Sequence, residues 1–138
     1  MDINMKESAS DMGTIKTTYE LDKGLTVTTA TGRMTAQDFD EWRQNYYSDK
    51  VTANTLWNIV DADLSEIESE DVATHAQRIS ADANVRKGGR SAIVVGGNTL
   101  ALGLSRMREI YGELADSPIA VQIFTNVDEA REWLGVKE

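Results

Sequence analysis

Alternating apolar and polar residues mark two strands near the start of the chain. Residues 15–21 alternate, residues 25–29 alternate again, and residues 22–24 form the turn between them. A period of two is typical of strands with one buried face. Gly24 supplies the left-handed residue that a three-residue hairpin loop needs. The pattern therefore predicts an antiparallel hairpin.

Four later stretches carry apolar residues at helical spacing, and each follows a residue that can cap a helix. The predicted caps are Thr35, Ser69, Asn98 and Asn126. The third stretch has the longest apolar stripe, which consists of Leu100, Gly103, Leu104, Met107, Ile110, Tyr111 and Leu114. A glycine inside a helix costs about 1 kcal/mol relative to alanine. We therefore expect Gly103 to lie where the helix closely approaches a sheet, whereas Leu102, off the stripe, is expected to face solvent.

Three short apolar runs, residues 56–60, 92–95 and 119–124, separate these helices and predict strands. The predicted order is β-β-α-β-α-β-α-β-α. It gives an α/β fold with a mixed β-sheet of about five strands, in which the N-terminal antiparallel hairpin is followed by three βα units. The helices are expected mainly on one face of the sheet. Residues 14–138 are predicted to form a single domain, and residues 1–13, which lack any hydrophobic period, a flexible tail.

The composition narrows the class of protein further. The 138 residues are 41% hydrophobic and 27% charged, include no cysteine and carry a formal net charge of −9. The negative charge opposes binding to nucleic acid and to anionic lipid. No apolar run approaches the roughly 18 residues of a membrane span, and the first residues lack the apolar core of a signal peptide. We expect a cytoplasmic protein with no transmembrane segment and no nucleic-acid partner.

Several segments together resemble one known family. The sequences are Ala-Ile-Val-Val at 92–95, Leu-Ala-Leu-Gly-Leu-Ser-Arg-Met at 100–107, Val-Gln-Ile-Phe at 121–124 and Asp-Glu-Ala-Arg-Glu-Trp-Leu at 128–134. With Trp57, Asp61 and Asp63 at the end of the third strand, they resemble the STAS fold (sulfate transporter and anti-sigma-factor antagonist), in its SpoIIAA-like branch of small bacterial proteins. The resemblance covers about residues 14–135. It implies a non-catalytic regulatory or ligand-binding module, and we expect this module to act through contacts with a protein partner that the sequence does not identify.

The same resemblance directs attention to the acidic segment before the second predicted helix. Anti-sigma-factor antagonists carry a phosphorylatable serine at this helix start, where backbone amides stabilise a phosphate. That serine falls on Glu70 here, so the phosphorylation switch is altered and the neighbouring Ser69 becomes the phosphorylation candidate. The residues expected to contact a partner are Asp61, Asp63, Ser65, Glu68, Ser69, Glu70 and Asp71.

Three other interpretations concern this segment and the glycine turn at residues 96–99, and each lacks part of its usual motif. Carboxylates could bind a divalent cation, but a calcium loop starting at Asp61 needs glycine where the chain has Glu66. An Asp-x-Asp phosphotransfer motif needs further acidic residues and a lysine that we do not find. Residues 96–99, Gly-Gly-Asn-Thr, lack the spacing of a nucleotide loop. We predict no metal, no cofactor and no catalytic residue, and an acidic segment that is a solvated loop and helix start.

A second hypothesis concerns a different class of function. An apolar small molecule or lipid could bind between the sheet and the helix that starts at Asn98, provided that a cavity exists there. Trp57, Leu102 and Arg106 are the candidates for a ligand-binding or dimer patch, and a homodimer contact is one use of it. His75, the single histidine, cannot build a multi-histidine zinc site and is predicted to be a partly exposed helix residue.

Overall fold

The computed structural model describes residues 13–48 and 51–136. Within them, four helices and six strands follow the predicted order, with one short strand added. The strands are β1 (Thr14–Glu20), β2 (Leu25–Arg33), β3 (Asn54–Asn58), β4 (Ala62–Asp63), β5 (Arg90–Val94) and β6 (Ala120–Phe124). The helices are α1 (Ala36–Ser48), α2 (Ser69–Asp82), α3 (Thr99–Leu114) and α4 (Val127–Leu134). The predicted flexible tail, apart from Gly13, lies outside the described residues.

The sheet is mixed, as the sequence predicts. Its order is β1-β2-β3-β5-β6; β1 and β2 pair antiparallel, and the later neighbours pair parallel. The additional strand β4 pairs with the end of β2, where Gly32 lies opposite Ala62. A two-residue strand carries no detectable period, so the sequence did not reveal it. The α/β prediction is confirmed, with six strands in place of about five.

Alternation along the strands divides the core into two layers. On one face, residues such as Ile59 and Val95 pack with α1, α2 and α3, through side chains that include Val72 and Leu104. On the opposite face, Leu56, Ala92 and Val94 pack with α4. Three of the four helices therefore cover the same face, which confirms the predicted arrangement.

Local capping explains where most helices begin and end. The backbone N–H of Thr35 donates to Asp38 Oδ2 at 2.8 Å, and Thr35 Oγ1 accepts from the N–H of Asp38 at 3.3 Å. Asn98 and Asn126 accept from backbone N–H groups three residues onward, as predicted. Gly24 and Gly135 have the left-handed conformations expected of them. At α2 the cap differs from the expectation, because Asp71 Oδ2 accepts from the N–H of Glu68.

The helix α3 presents a different face to the sheet from the one predicted. Its buried residues are Ala101, Leu104, Ser105 and Gly112. Four members of the predicted apolar stripe are exposed: Leu100, Met107, Ile110 and Leu114. Gly103 is exposed too, and a Cβ placed there would meet no atom within 4 Å. Leu102 is half-buried against the three-helix layer. The expectations that Gly103 approaches the sheet and that Leu102 faces solvent are therefore wrong.

Candidate central cavity

Between the sheet and the three-helix layer lies a cavity of about 140 Å³. We call it the central cavity. Its floor comes from β3, β5 and β6, and its walls from α1, α2 and α3. The lining residues include the exposed Ala36 at the start of α1, which places one side of the cavity at the surface. The apolar-ligand hypothesis drawn from the sequence places the ligand in this same layer, between the sheet and the helix that starts at Asn98.

Aromatic rings form one wall of the central cavity. Phe39 lies 5.5 Å from Trp57, and Trp42 meets Trp57 edge to face at 4.6 Å, both measured between ring centroids. Trp42 also stacks on Tyr46 at 4.8 Å, and its indole Nε1 donates to Thr17 Oγ1 at 3.2 Å. These contacts fix the rings, so this wall is an apolar surface held in a defined shape.

The cavity has a polar end built around Arg86. This guanidinium is buried and donates to the carbonyl oxygens of Thr52 and Ala53 and to the hydroxyl of Ser91. Thr55 Oγ1 donates to Ser91 Oγ at 2.8 Å, which joins the floor strands β3 and β5. All of these acceptors are neutral. The charge of Arg86 is therefore held by hydrogen bonds to neutral groups and by the face of the Tyr46 ring, whose centroid lies 5.6 Å from the guanidinium carbon.

A second arginine of the cavity has fewer partners. Arg108 lines the cavity from α3, and its Nη1 is fully enclosed with no hydrogen-bond partner. Burial lowers the pKa of Arg108 to about 10, with the charge of Arg86 acting in the same direction and that of Tyr47 opposing it. A group with that pKa is still protonated at neutral pH.

His75 faces the central cavity from α2, next to the aromatic wall. Its ring meets Phe39 at a centroid distance of 6.2 Å. Burial is the main reason that the pKa of His75 is lowered to about 3, and the positive charges of Arg108, Arg43 and Arg78 add to it. The imidazole is therefore neutral at pH 7, in a half-buried position.

The acidic segment lies beside the cavity, with most of its side chains in solvent. Asp61, Asp63, Ser65, Glu68, Ser69 and Glu70 are exposed, and Asp71 is half-buried. Asp63 Oδ1 accepts from the N–H of Ser65 at 3.0 Å, and hydrogen bonding from Ser65 lowers the pKa of Asp63. Within residues 13–48 and 51–136, no cluster of three metal-ligating side chains occurs. The base of the segment reaches the cavity through Leu64, Ile67 and Asp71.

Of the three candidates for a ligand or dimer patch, Trp57 alone lines the central cavity. Trp57 is part of the aromatic wall, whereas Leu102 packs against the core and Arg106 is exposed on α3. Sequence reasoning missed Arg86 and Arg108. The available signal was the spacing of Ala101, Ser105 and Gly112, which places small residues on the same helix face as Arg108. The larger apolar residues of α3 form a stronger pattern on another face of the helix and concealed this signal.

A second hollow, between β1 and α1, is larger, at about 320 Å³. It lies at the edge of the sheet, and side chains such as Asp38, Glu41 and Asn45 line it. The surface that lines this second hollow is mostly polar, whereas the surface that lines the central cavity is mostly apolar.

No part of the described chain forms a helix long and apolar enough to cross a membrane.

One solved structure establishes the fold. An uncharacterized protein of the DUF3478 family from Shewanella loihica PV-4, described as having a SpoIIAA-like fold, matches with a TM-score of 0.52 and 19% sequence identity. The match covers 88% of this chain and 93% of the other. The chain therefore has a SpoIIAA-like fold, as the resemblance predicted, and at this identity the likeness shows the fold alone. No family model and no curated protein matches the chain.

Proposed function

Given the SpoIIAA-like fold, we propose that this protein is a non-catalytic module that binds a small apolar molecule in the central cavity. The observation that supports this function is the cavity itself. Protein cores are normally close-packed, so an apolar cavity of about 140 Å³ between the sheet and the helices leaves its lining side chains without packing contacts on one side. An occupant that fills the space recovers contacts that the folded protein otherwise lacks.

The volume defines the size of the occupant. A cavity of roughly 150 Å³ lined by apolar side chains binds benzene, and the central cavity has nearly this volume. Binding sites for drug-sized ligands begin near 300 Å³. The proposed ligand is therefore the size of a single six-membered ring, and it packs against Phe39, Trp42 and Trp57.

Toluene titration by isothermal calorimetry tests this function. Two matched variants exchange a half-buried strand valine for phenylalanine: Val121→Phe fills the cavity, whereas Val27→Phe lies on the face covered by α4. We expect saturable one-to-one binding to the wild type and to Val27→Phe, with at least about tenfold weaker binding to Val121→Phe. Absence of saturable binding to the wild type contradicts the proposal, and so does equal binding to a folded Val121→Phe variant.

A regulatory role remains a second proposal, favoured by one observation. Leu64, Ile67 and Asp71 belong to the acidic segment and also line the central cavity. An occupant would contact the base of the segment that the family resemblance assigns to a protein partner. The segment could then present a different surface to that partner in the occupied and empty states.

Hydrogen exchange measures this coupling directly. Saturating toluene is expected to slow amide exchange in residues 63–71 more than in the β1–β2 turn, residues 21–24, which the cavity does not touch. Equal protection in both segments would argue against the regulatory role and leave ligand binding standing.

A further inference from the structure

We propose that the ligand of the central cavity is a small apolar carboxylic acid, bound as its carboxylate with Arg108 as the recognising group. This inference rests on the proposed function and adds the chemical class of the ligand. It assigns the aromatic wall to the apolar body of the ligand and the polar end of the cavity to its charged group.

Arg108 has a hydrogen-bond donor that the protein leaves without a partner. Its Nη1 is enclosed by protein and has no hydrogen-bond partner. Leaving a buried charged donor unsatisfied is costly, and a rotation of the half-buried Arg108 guanidinium toward the cavity would let an acceptor there satisfy this donor. Gly112 provides the space for this atom, because a Cβ at position 112 would lie 2.8 Å from Nη1. Glycine at position 112 of α3 thus leaves room for the guanidinium of Arg108.

The polar end of the cavity carries two positive charges that no carboxylate of the described residues pairs with. Arg86 and Arg108 both line the cavity, and their charges affect each other. Among the described residues, no ion pair joins either of them to a carboxylate. Buried charges are normally paired. An anionic group on the ligand would supply the compensation that the protein itself does not.

The two arginines have different parts in this recognition. The donors of Arg86 already contact Thr52, Ala53, Tyr47 and Ser91, so it contributes charge and holds the floor strands together. Arg108 has the enclosed donor that remains unused. A carboxylate is the suitable acceptor, because its two oxygens match the planar geometry of a guanidinium.

The acidic groups near the cavity do not oppose this assignment. Asp71 lines the cavity at the start of α2, where its Oδ2 accepts from the N–H of Glu68. Asp40 and Asp82 lie in ion pairs with Arg43. These carboxylates are thus engaged by a backbone N–H or by another cation.

The experiment compares benzoate with toluene, which share a ring and differ in charge. We expect the wild type to bind benzoate at least about tenfold more tightly than toluene. In Arg108→Met, which keeps a flexible unbranched side chain and removes the guanidinium and its charge, the preference should disappear while toluene still binds. Arg106→Met is the matched control: it makes the same exchange at an exposed position of the same helix and should retain the full preference.

The outcomes separate this inference from the proposed function. If toluene binds and benzoate binds no better, the carboxylate assignment is wrong and the apolar cavity function stands. If neither binds, both fail. The wild-type comparison alone decides the point should Arg108→Met not fold. A thermal melt adds a check, since benzoate should raise the melting temperature of the wild type and of Arg106→Met but not that of Arg108→Met.

Discussion

Arg86, Arg108 and His75 show how the chain manages polar groups beside an apolar cavity. Arg86 is satisfied by neutral acceptors, His75 is kept neutral, and Arg108 retains an enclosed donor with no partner. Each residue looks ordinary in the sequence, where it occupies one position of a helix or turn. Their shared environment arises only when α2, α3 and the floor strands come together, which explains why sequence analysis placed the site elsewhere.

The lowered pKa of His75 predicts a pH-dependent stability. In the unfolded chain histidine titrates near 6.5, and in the folded protein near 3. As the pH falls through 6.5, the unfolded state takes up a proton that the folded state excludes. The stabilisation is therefore complete above about pH 6.5 and is lost progressively as the pH falls toward 3.

Urea unfolding at several pH values measures this loss. Between pH 7 and pH 5 the wild type should lose more unfolding free energy than His75→Asn. The difference is at most about 2 kcal/mol, because the unfolded chain takes up only one proton at His75 that the folded protein does not. Solvent access to the half-buried ring reduces that difference. Carboxylates with lowered pKa, such as Asp63, are common to both proteins and cancel in the comparison. Parallel pH curves for the two proteins would disprove the environment that we assign to His75.

At the scale of the elements, local sequence signals predicted the helix caps correctly, whereas the apolar pattern predicted the wrong buried face for α3. The caps at Thr35, Asn98 and Asn126 form as expected, because a cap depends only on residues within one turn. The face of α3 depends on what the rest of the fold presents to it. Ala101, Ser105 and Gly112 let α3 pack closely on its neighbours, and four large apolar residues face solvent as a result.

The two glycines of α3 provide a direct test of that face. Gly103→Ala should raise the free energy of unfolding by about 0.5–1 kcal/mol, because alanine favours the helix and its Cβ meets open space. Gly112→Ala should gain less or lose stability, since its Cβ would force Arg108 Nη1 to move. Urea denaturation measures both. A destabilised Gly103→Ala would support the sequence-based orientation over the observed one.

At the scale of the whole molecule, the sequence predicted the mixed sheet, the order of elements along the chain and the SpoIIAA-like fold, but it ranked the acidic segment above the cavity as the candidate site. The sheet follows from periods within single segments, whereas a cavity is space left between segments and has no period of its own. Arg86 shows the difference, since its Nε donates at 3.0 Å to the carbonyl oxygen of Thr52, which lies 34 residues earlier in the chain. The SpoIIAA-like fold supplies the layers, and the side chains between them supply the site.

The most direct test of the account is a methyl NMR titration of the wild-type protein with toluene. The account predicts saturable shifts at the cavity methyl groups of Ile93, Leu104 and Val121, and none at Val27 and Leu134 on the opposite face. Uniform small shifts on both faces, or no saturation up to the solubility limit of toluene, would contradict the claim that the central cavity is a binding site.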